Sequence, residues 1–200
     1  MRAEKGSEFM TDRTRGALIA IVATAALVLA GCGSNDHDHD HPMDQGGPAA
    51  ASTTPPPPPL PAPFTDVDQD DAEAVLVAAA ESLFSYRPAE QSSQVDAAAA
   101  TRPLLDDRFF AANEAGFGVL APITGAMWER WRSQGAAVTA TAQVTSDAHP
   151  ADQPARISRV LAVTVTAHAP DGTELDRMQW PVYMSATKLG VWRVSAVAVR

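Results

Sequence analysis

Residues 137–145 read AVTATAQVT, and this alternation decides the fold class. Val138, Ala140, Ala142 and Val144 fall on one side, and Thr139, Thr141, Gln143 and Thr145 on the other, which is the period of a half-buried strand. Threonine and valine are strand formers. Further on, residues 157–168 place Leu161, Val163 and Val165 on one face of a second strand. Pro170-Asp171-Gly172 then reads as a turn, because proline presets φ and glycine takes the positive-φ position. Residues 174–185 form the return strand. Within it Pro181 implies an edge or a bulge, since proline has no N–H to give to a ladder. Leu189-Gly190 turns the chain again, and residues 191–199 make the last strand. Four consecutive strands, the first two joined by a polar loop with Pro150 and Pro154, describe an antiparallel meander.

Upstream of the meander the period changes to that of helices. Thr65-Asp66-Val67-Asp68 resembles a capping box, and Asp70 and Asp71 add negative charge near the positive end of a helix. Ala72, Val75, Leu76, Ala79 and Leu83 then recur at helical spacing, so one face is apolar. Tyr86-Arg87-Pro88 stops this first helix. A second helix is expected over about residues 91–100. Pro103 suits the first turn of a third, which carries Leu104, Leu105, Phe109 and Phe110 to near Gly116. A short fourth helix covers residues 123–133 with Met127, Trp128 and Trp131, and Gly135 is its C-terminal cap. Helices gathered on one face of an antiparallel sheet make an α+β domain over residues 65–200. A curved four-stranded sheet wrapping the long first helix makes a cone, whose wide end Phe109, Phe110, Phe117 and Met127 are placed to plug.

The first 64 residues have a different character. Arg13 and Arg15 precede an apolar run over residues 17–30, broken only by Thr24, which has the layout of a secretory signal peptide and is short for a membrane span. The run closes in Leu29-Ala30-Gly31-Cys32, and Cys32 is the only cysteine of the 200 residues. This closing tetrapeptide resembles the lipobox of bacterial lipoproteins. The resemblance implies cleavage before Cys32, a diacylglycerol thioether on its sulfur and an acylated new N-terminus, with fatty chains such as palmitate holding the protein on the membrane. Ahead of the signal, residues 1–9 contain Gly6-Ser7-Glu8-Phe9, which reads as translated cloning sites, or the stretch follows from an upstream start codon.

Residues 32–64 read as a lipid-anchored, disordered tether. Nine of the 16 prolines of the chain lie between Pro42 and Pro63, five of them consecutive at 55–59. Such a stretch cannot bury enough apolar surface to offset its ordering entropy. Extended at about 3.1 Å per residue, it reaches on the order of 100 Å. Within it His37, His39 and His41 alternate with Asp38 and Asp40. Imidazole and carboxylate suit Zn²⁺, Ni²⁺ or Cu²⁺, so the tract is either a weak, exchangeable metal trap or a solvated spacer. No other cofactor is implied.

Charge narrows the partners. The full chain carries 15 basic and 24 acidic residues, and residues 32–200 carry 11 and 21, net −10. An acidic body does not grip nucleic-acid phosphates. It is also repelled by anionic lipid, so attachment rests on acyl chains. The lipobox resemblance implies a location on the outer face of the cell membrane.

A second resemblance concerns the domain. Ser85-Tyr86-Arg87-Pro88-Ala89 after the first helix, Leu104-Leu105, the Trp128/Trp131 helix and the terminal Gly190-Val191-Trp192-Arg193-Val194 resemble actinobacterial Mce-associated proteins and the periplasmic domain of type IV secretion assembly factors. The likeness spans most of residues 70–199 and rests on a helix-end Tyr-x-Pro and a terminal Trp-x-Val. Those families typically carry one membrane-spanning helix where this chain has a lipobox and a proline-rich tether. They resemble the nuclear transport factor 2-like cone fold. The resemblance implies a non-enzymatic scaffold or assembly component of an envelope transport or secretion system, with another envelope protein as partner. The alternative is a cone that binds a small apolar ligand, lipid- or steroid-like.

Catalytic chemistry has few candidates. An isomerase-type cone needs an acid and a hydroxyl donor facing one substrate. Asp176, Tyr183 and His168 are of the right types, but strand parity puts Asp176 with Met178, Trp180 and Val182, and Tyr183 with Leu175 and Arg177, on opposite faces. No nucleophilic triad spacing, phosphate loop or zinc motif occurs, and no catalytic residue is assigned. Asp106 and Asp107 are adjacent on a helix and diverge, and His149 falls in a polar loop. Trp128 and Trp131, flanked by Arg130 and Arg132, are either core or an aromatic patch for a protein partner.

Overall fold

The computed structural model describes residues 55–200, and every element lies among them. The signal peptide, Cys32, the His/Asp tract and the tether as far as Thr54 lie outside the described residues. The domain is α+β, with four helices packed against a four-stranded antiparallel sheet of order β1-β2-β3-β4.

Helix α1 (Ala72–Leu83) buries Ala72, Val75, Leu76, Ala79, Ala80 and Leu83, the face its spacing predicts. Its start is a correction: the chain does not begin the helix at Thr65 but at Asp71, whose carboxylate accepts the N–H groups of Glu73 at 2.9 Å and Ala74 at 3.2 Å. Residues 61–71 are spent on turns instead, with Phe64 N–H donating to the Pro61 carbonyl and Val67 N–H to that of Phe64. Those turns fold Leu60 and Phe64 into the core, where they are 6 % and 5 % exposed. The folded unit therefore reaches back past Thr65, and the Gln69 side-chain amide holds the Pro58 carbonyl at 2.9 Å.

Helix α2 (Gln94–Thr101) starts at a capping box formed by Ser93 and Asp96. The third helix is broken up. A 3₁₀ turn over Arg102–Leu104, helix α3 (Asp107–Asn113) and a second 3₁₀ stretch over Glu114–Val119 replace one continuous helix. The break has a cause: Leu105 is extended and bridges Val194, and Asp106 N–H donates to the Val194 carbonyl at 2.8 Å. The chain leaves the helix to cover a strand edge. Helix α4 (Gly125–Ser133) ends before Gly135, which takes φ 61°.

The strands are β1 (Ala137–Val144), β2 (Arg156–His168), β3 (Glu174–Leu189) and β4 (Val191–Val199). β3 runs four residues beyond the expected Ser185, into a tight turn at Gly190, φ 84°. Pairing fixes the faces. Ala142, Val163 and Trp180 stand in one row, and Val144, Leu161, Val182 and Val199 in the next. These rows form the inner face, against which α1 lies in contact with all four strands. Thr139, Thr141, Thr164, Gln179, Tyr183 and Thr187 take the outer face. Pro181 sits one residue beyond the last β3–β4 pair, Val182 with Val199, so its missing N–H removes no bond to β4.

Both sheet edges are covered, which suppresses pairing with other chains. Along β1, Tyr86 exchanges two backbone bonds with Val138 at 2.9 Å, Ser85 Oγ accepts Ala140 N–H at 3.0 Å, and Glu81 Oε1 accepts Ala142 N–H at 3.2 Å. Along β4, Asp106 and the Gln69 carbonyl, which accepts Trp192 N–H at 3.0 Å, do the same.

Candidate functional site

The inner face is where a ligand of a sheet-and-helix layout would sit, and here it is filled. Phe84 and Trp180 meet edge to face at 5.9 Å, and Tyr86 and Trp128 at 5.5 Å. Val75, Leu76, Phe84 and Trp131 are fully buried. Phe117 stacks on Phe110 at 5.8 Å and meets Phe109 edge-on at 5.8 Å, with Met127 packed against the same core. Burial pushes the Tyr86 phenol far above its ordinary pKa, so it stays neutral.

Asp176 lies on the inner face and Tyr183 on the outer, because the β2–β3 register runs unbroken from Ala167 to Arg156 through Pro181. The parity that separates an acid from a donor therefore holds. Asp176 is occupied: its carboxylate accepts Trp131 Nε1–H at 2.6 Å and pairs with Arg130. His168 stands at the end of β2, opposite Ala137 and Glu174, away from both. Asp106 caps α3 by accepting Phe109 N–H at 2.9 Å, while Asp107 faces Arg102 at 3.5 Å, so the two carboxylates do different things.

The aromatic patch at α4 is not present as an exposed surface. Trp128 and Trp131 are both buried. Arg130 is held by Asp176, and Arg132 donates through Nε to the Pro88 carbonyl at 3.1 Å. The helix spacing that makes an amphipathic face also makes a core face, and only burial separates them. Among the described residues no three His, Cys, Asp or Glu side chains are placed to hold a metal ion. No helix among them is long and apolar enough to cross a membrane.

Two further polar centres take shape only in the fold. Arg159 binds the β1–β2 loop to α1. Its Nε donates to Glu73 at 2.6 Å, and its two Nη atoms grip Asp152 at 2.6 and 2.8 Å. This hydrogen bonding holds the Asp152 carboxyl below the usual carboxylate range. His149 Nδ1 lies 3.4 Å from the same guanidinium, so this exposed histidine borders the Arg159–Asp152 pair. An arginine on the apolar side of the alternation, between Ile157 and Leu161, was the available signal.

The second centre is Arg193. Its Nη1 donates to the Trp192 carbonyl at 2.7 Å and its Nη2 to Gln69 Oε1 at 2.5 Å. Burial pulls its pKa down, opposed by the charge of Asp107.

The clefts lie around this filled interior. One of about 590 Å³ separates Pro55–Pro58 from Leu189–Val191. One of about 270 Å³ runs on the outer face between the β1–β2 loop and Tyr183, Ala196 and Ala198. One of about 470 Å³ is lined by Arg102 and Arg193. None of the three is lined by Val75, Leu76, Phe84 or Trp131. No family model, curated protein or solved structure matches the chain.

Proposed function

We propose that this is a lipoprotein anchored through Cys32 on the outer face of the cell membrane, whose domain is a cone serving as a non-enzymatic scaffold or assembly component of an envelope transport or secretion system. One observation carries the scaffold reading: the inner face of the sheet is packed with the protein's own Phe84, Tyr86, Trp131 and Trp180. A carrier of a small apolar ligand needs an opening of several hundred Å³ lined by such residues. The clefts are lined by other side chains. Work then falls to the outer surface, which suits a partner protein.

The separation of Asp176 from Tyr183 weighs against isomerase-type chemistry, which needs an acid and a hydroxyl donor facing one substrate. The docked turns before α1 support the tether reading in a shorter form: Gln69 and the buried Leu60 hold its last residues on the domain.

Recovery of the native protein from membranes by cross-linking and affinity capture tests the scaffold. The expected result is a stoichiometric envelope protein and no bound lipid by native mass spectrometry. A bound lipid with no protein partner overturns it in favour of the apolar-ligand reading. For the anchor, Cys32→Ser is expected to abolish acylation and shift the protein out of the detergent phase. Unchanged partitioning without any acyl mass overturns the anchor while leaving the scaffold open to its own test.

A further inference from the structure

Residues 55–200 carry 11 basic and 17 acidic side chains, so a cleft with an excess of positive charge stands out on this surface. Between the end of α2 and β4, the cleft of about 470 Å³ is lined by two guanidiniums, Arg102 and Arg193, against one carboxylate, Asp107. The rest of its wall is Ala99, Ala100, Pro103 and Leu105.

Arg193 is only partly exposed, and no carboxylate of the described residues lies within 4 Å of it. Two of its five N–H donors are used, on the Trp192 carbonyl and on Gln69 Oε1. These neutral acceptors orient the guanidinium without cancelling its charge. Asp107, the carboxylate in the same cleft, acts on Arg193 from beyond ion-pair distance, so the cost of taking the cation out of water is only partly offset, and desolvation lowers the Arg193 pKa. Arg102 differs. It lies over the Phe110 ring at 5.4 Å and meets Asp107 at 3.5 Å with both side chains largely exposed, a contact weak enough for a bound anion to displace.

We infer that this cleft is a binding site for an organic oxyanion, a phosphate or carboxylate group carried on a small apolar body. The guanidiniums of Arg193 and Arg102 take the charged oxygens, as the planar fork of arginine suits both groups. The wall of Ala99, Ala100 and Pro103 takes the apolar body, and the volume exceeds what a bare ion needs. This site is separate from the filled inner face and does not depend on the scaffold reading.

The test uses the purified full-length chain in detergent, titrated calorimetrically with phenyl phosphate and with benzoate against matched sodium chloride. Saturable binding of at least one probe is expected, with chloride inert. The tighter probe identifies the group as phosphate or carboxylate. In Arg193→Met and Arg102→Met the dissociation constant is expected to rise about tenfold or more. Arg102 is 61 % exposed, so its variant folds and decides the matter even where Arg193→Met does not. No saturable heat with either probe, or unchanged affinity in Arg102→Met, overturns the inference.

Discussion

The two faces of the sheet are made from the same strands and behave as different materials. The inner face carries Val138, Leu161, Val163, Val165, Val182 and Val194, all nearly inaccessible behind α1. The outer face carries hydroxyls that satisfy one another, Ser158 with Ser185 at 2.8 Å and Thr187 with Ser195 at 2.9 Å. Its buried apolar residue Val160 lies beside the groove under the β1–β2 loop. Packing holds one face, while hydrogen bonds and ion pairs dress the other. The apolar burial that drives folding is concentrated inside.

The largest expected effect comes from breaking the inner side. Trp131 is fully buried and its indole N–H donates to Asp176. Trp131→Ala removes a large aromatic and leaves the carboxylate short of a donor. The cost is about 4 kcal/mol, the middle of the range for such truncations. Urea denaturation measures it. A loss below about 1 kcal/mol, the scale of a surface change, would mean that α4 is not part of the core.

The rim between the faces gives a smaller number. Ser85 Oγ accepts the N–H of buried Ala140, so Ser85→Ala leaves a buried donor without its partner. The expected cost is about 1–2 kcal/mol. Hydrogen exchange at the Ala140 amide is expected to accelerate more than at Thr141. Equal protection in the variant would show that the edge is satisfied another way.

These two sites also mark how far the sequence reading reaches. The buried stripe of α1 and the alternation of β1 to β4 were legible because each is a local period set by one element. The start of α1 was not: Thr65, Asp66, Asp68, Asp70 and Asp71 are all cap-forming types, and the choice among them is made by Leu60 and Phe64 folding back into the core. The opposite facing of Asp176 and Tyr183 followed from parity alone. The bond from Trp131 to Asp176 did not, since it joins residues 45 positions apart. Arg193 was visible as part of a terminal motif, but its lack of a carboxylate partner is a property of the assembled cleft.

The inner side holds a phenol whose titration can be isolated. Burial raises the Tyr86 pKa above the unfolded value of about 10. Its contribution is therefore complete below pH 10 and is lost as the pH rises, because the unfolded state ionises first. Tyr86→Phe is expected to change stability little at neutral pH and to flatten its decline above about pH 10. Denaturation midpoints across that range measure this. An alkaline limb unchanged in the variant would mean that other groups dominate it.

The β1–β2 loop, tied by Arg159 to α1 at the rim of the inner face, gives the smallest effect and the opposite sign. The Arg159 hydrogen bonds hold the Asp152 carboxyl below its unfolded value, so this contact stabilises above that value, about pH 4, and fades as the pH falls through the folded one. The carboxylate is exposed and screened, which keeps its share small beside that of Trp131. Asp152→Asn is expected to lose a slight part of the stability at neutral pH and to show a shallower acid limb. High salt should bring the wild type towards the variant, whereas it should leave the Trp131→Ala deficit in place. If salt moves neither, the loop is held by packing as the core is, and the contrast between packing and ion pairing fails at that point.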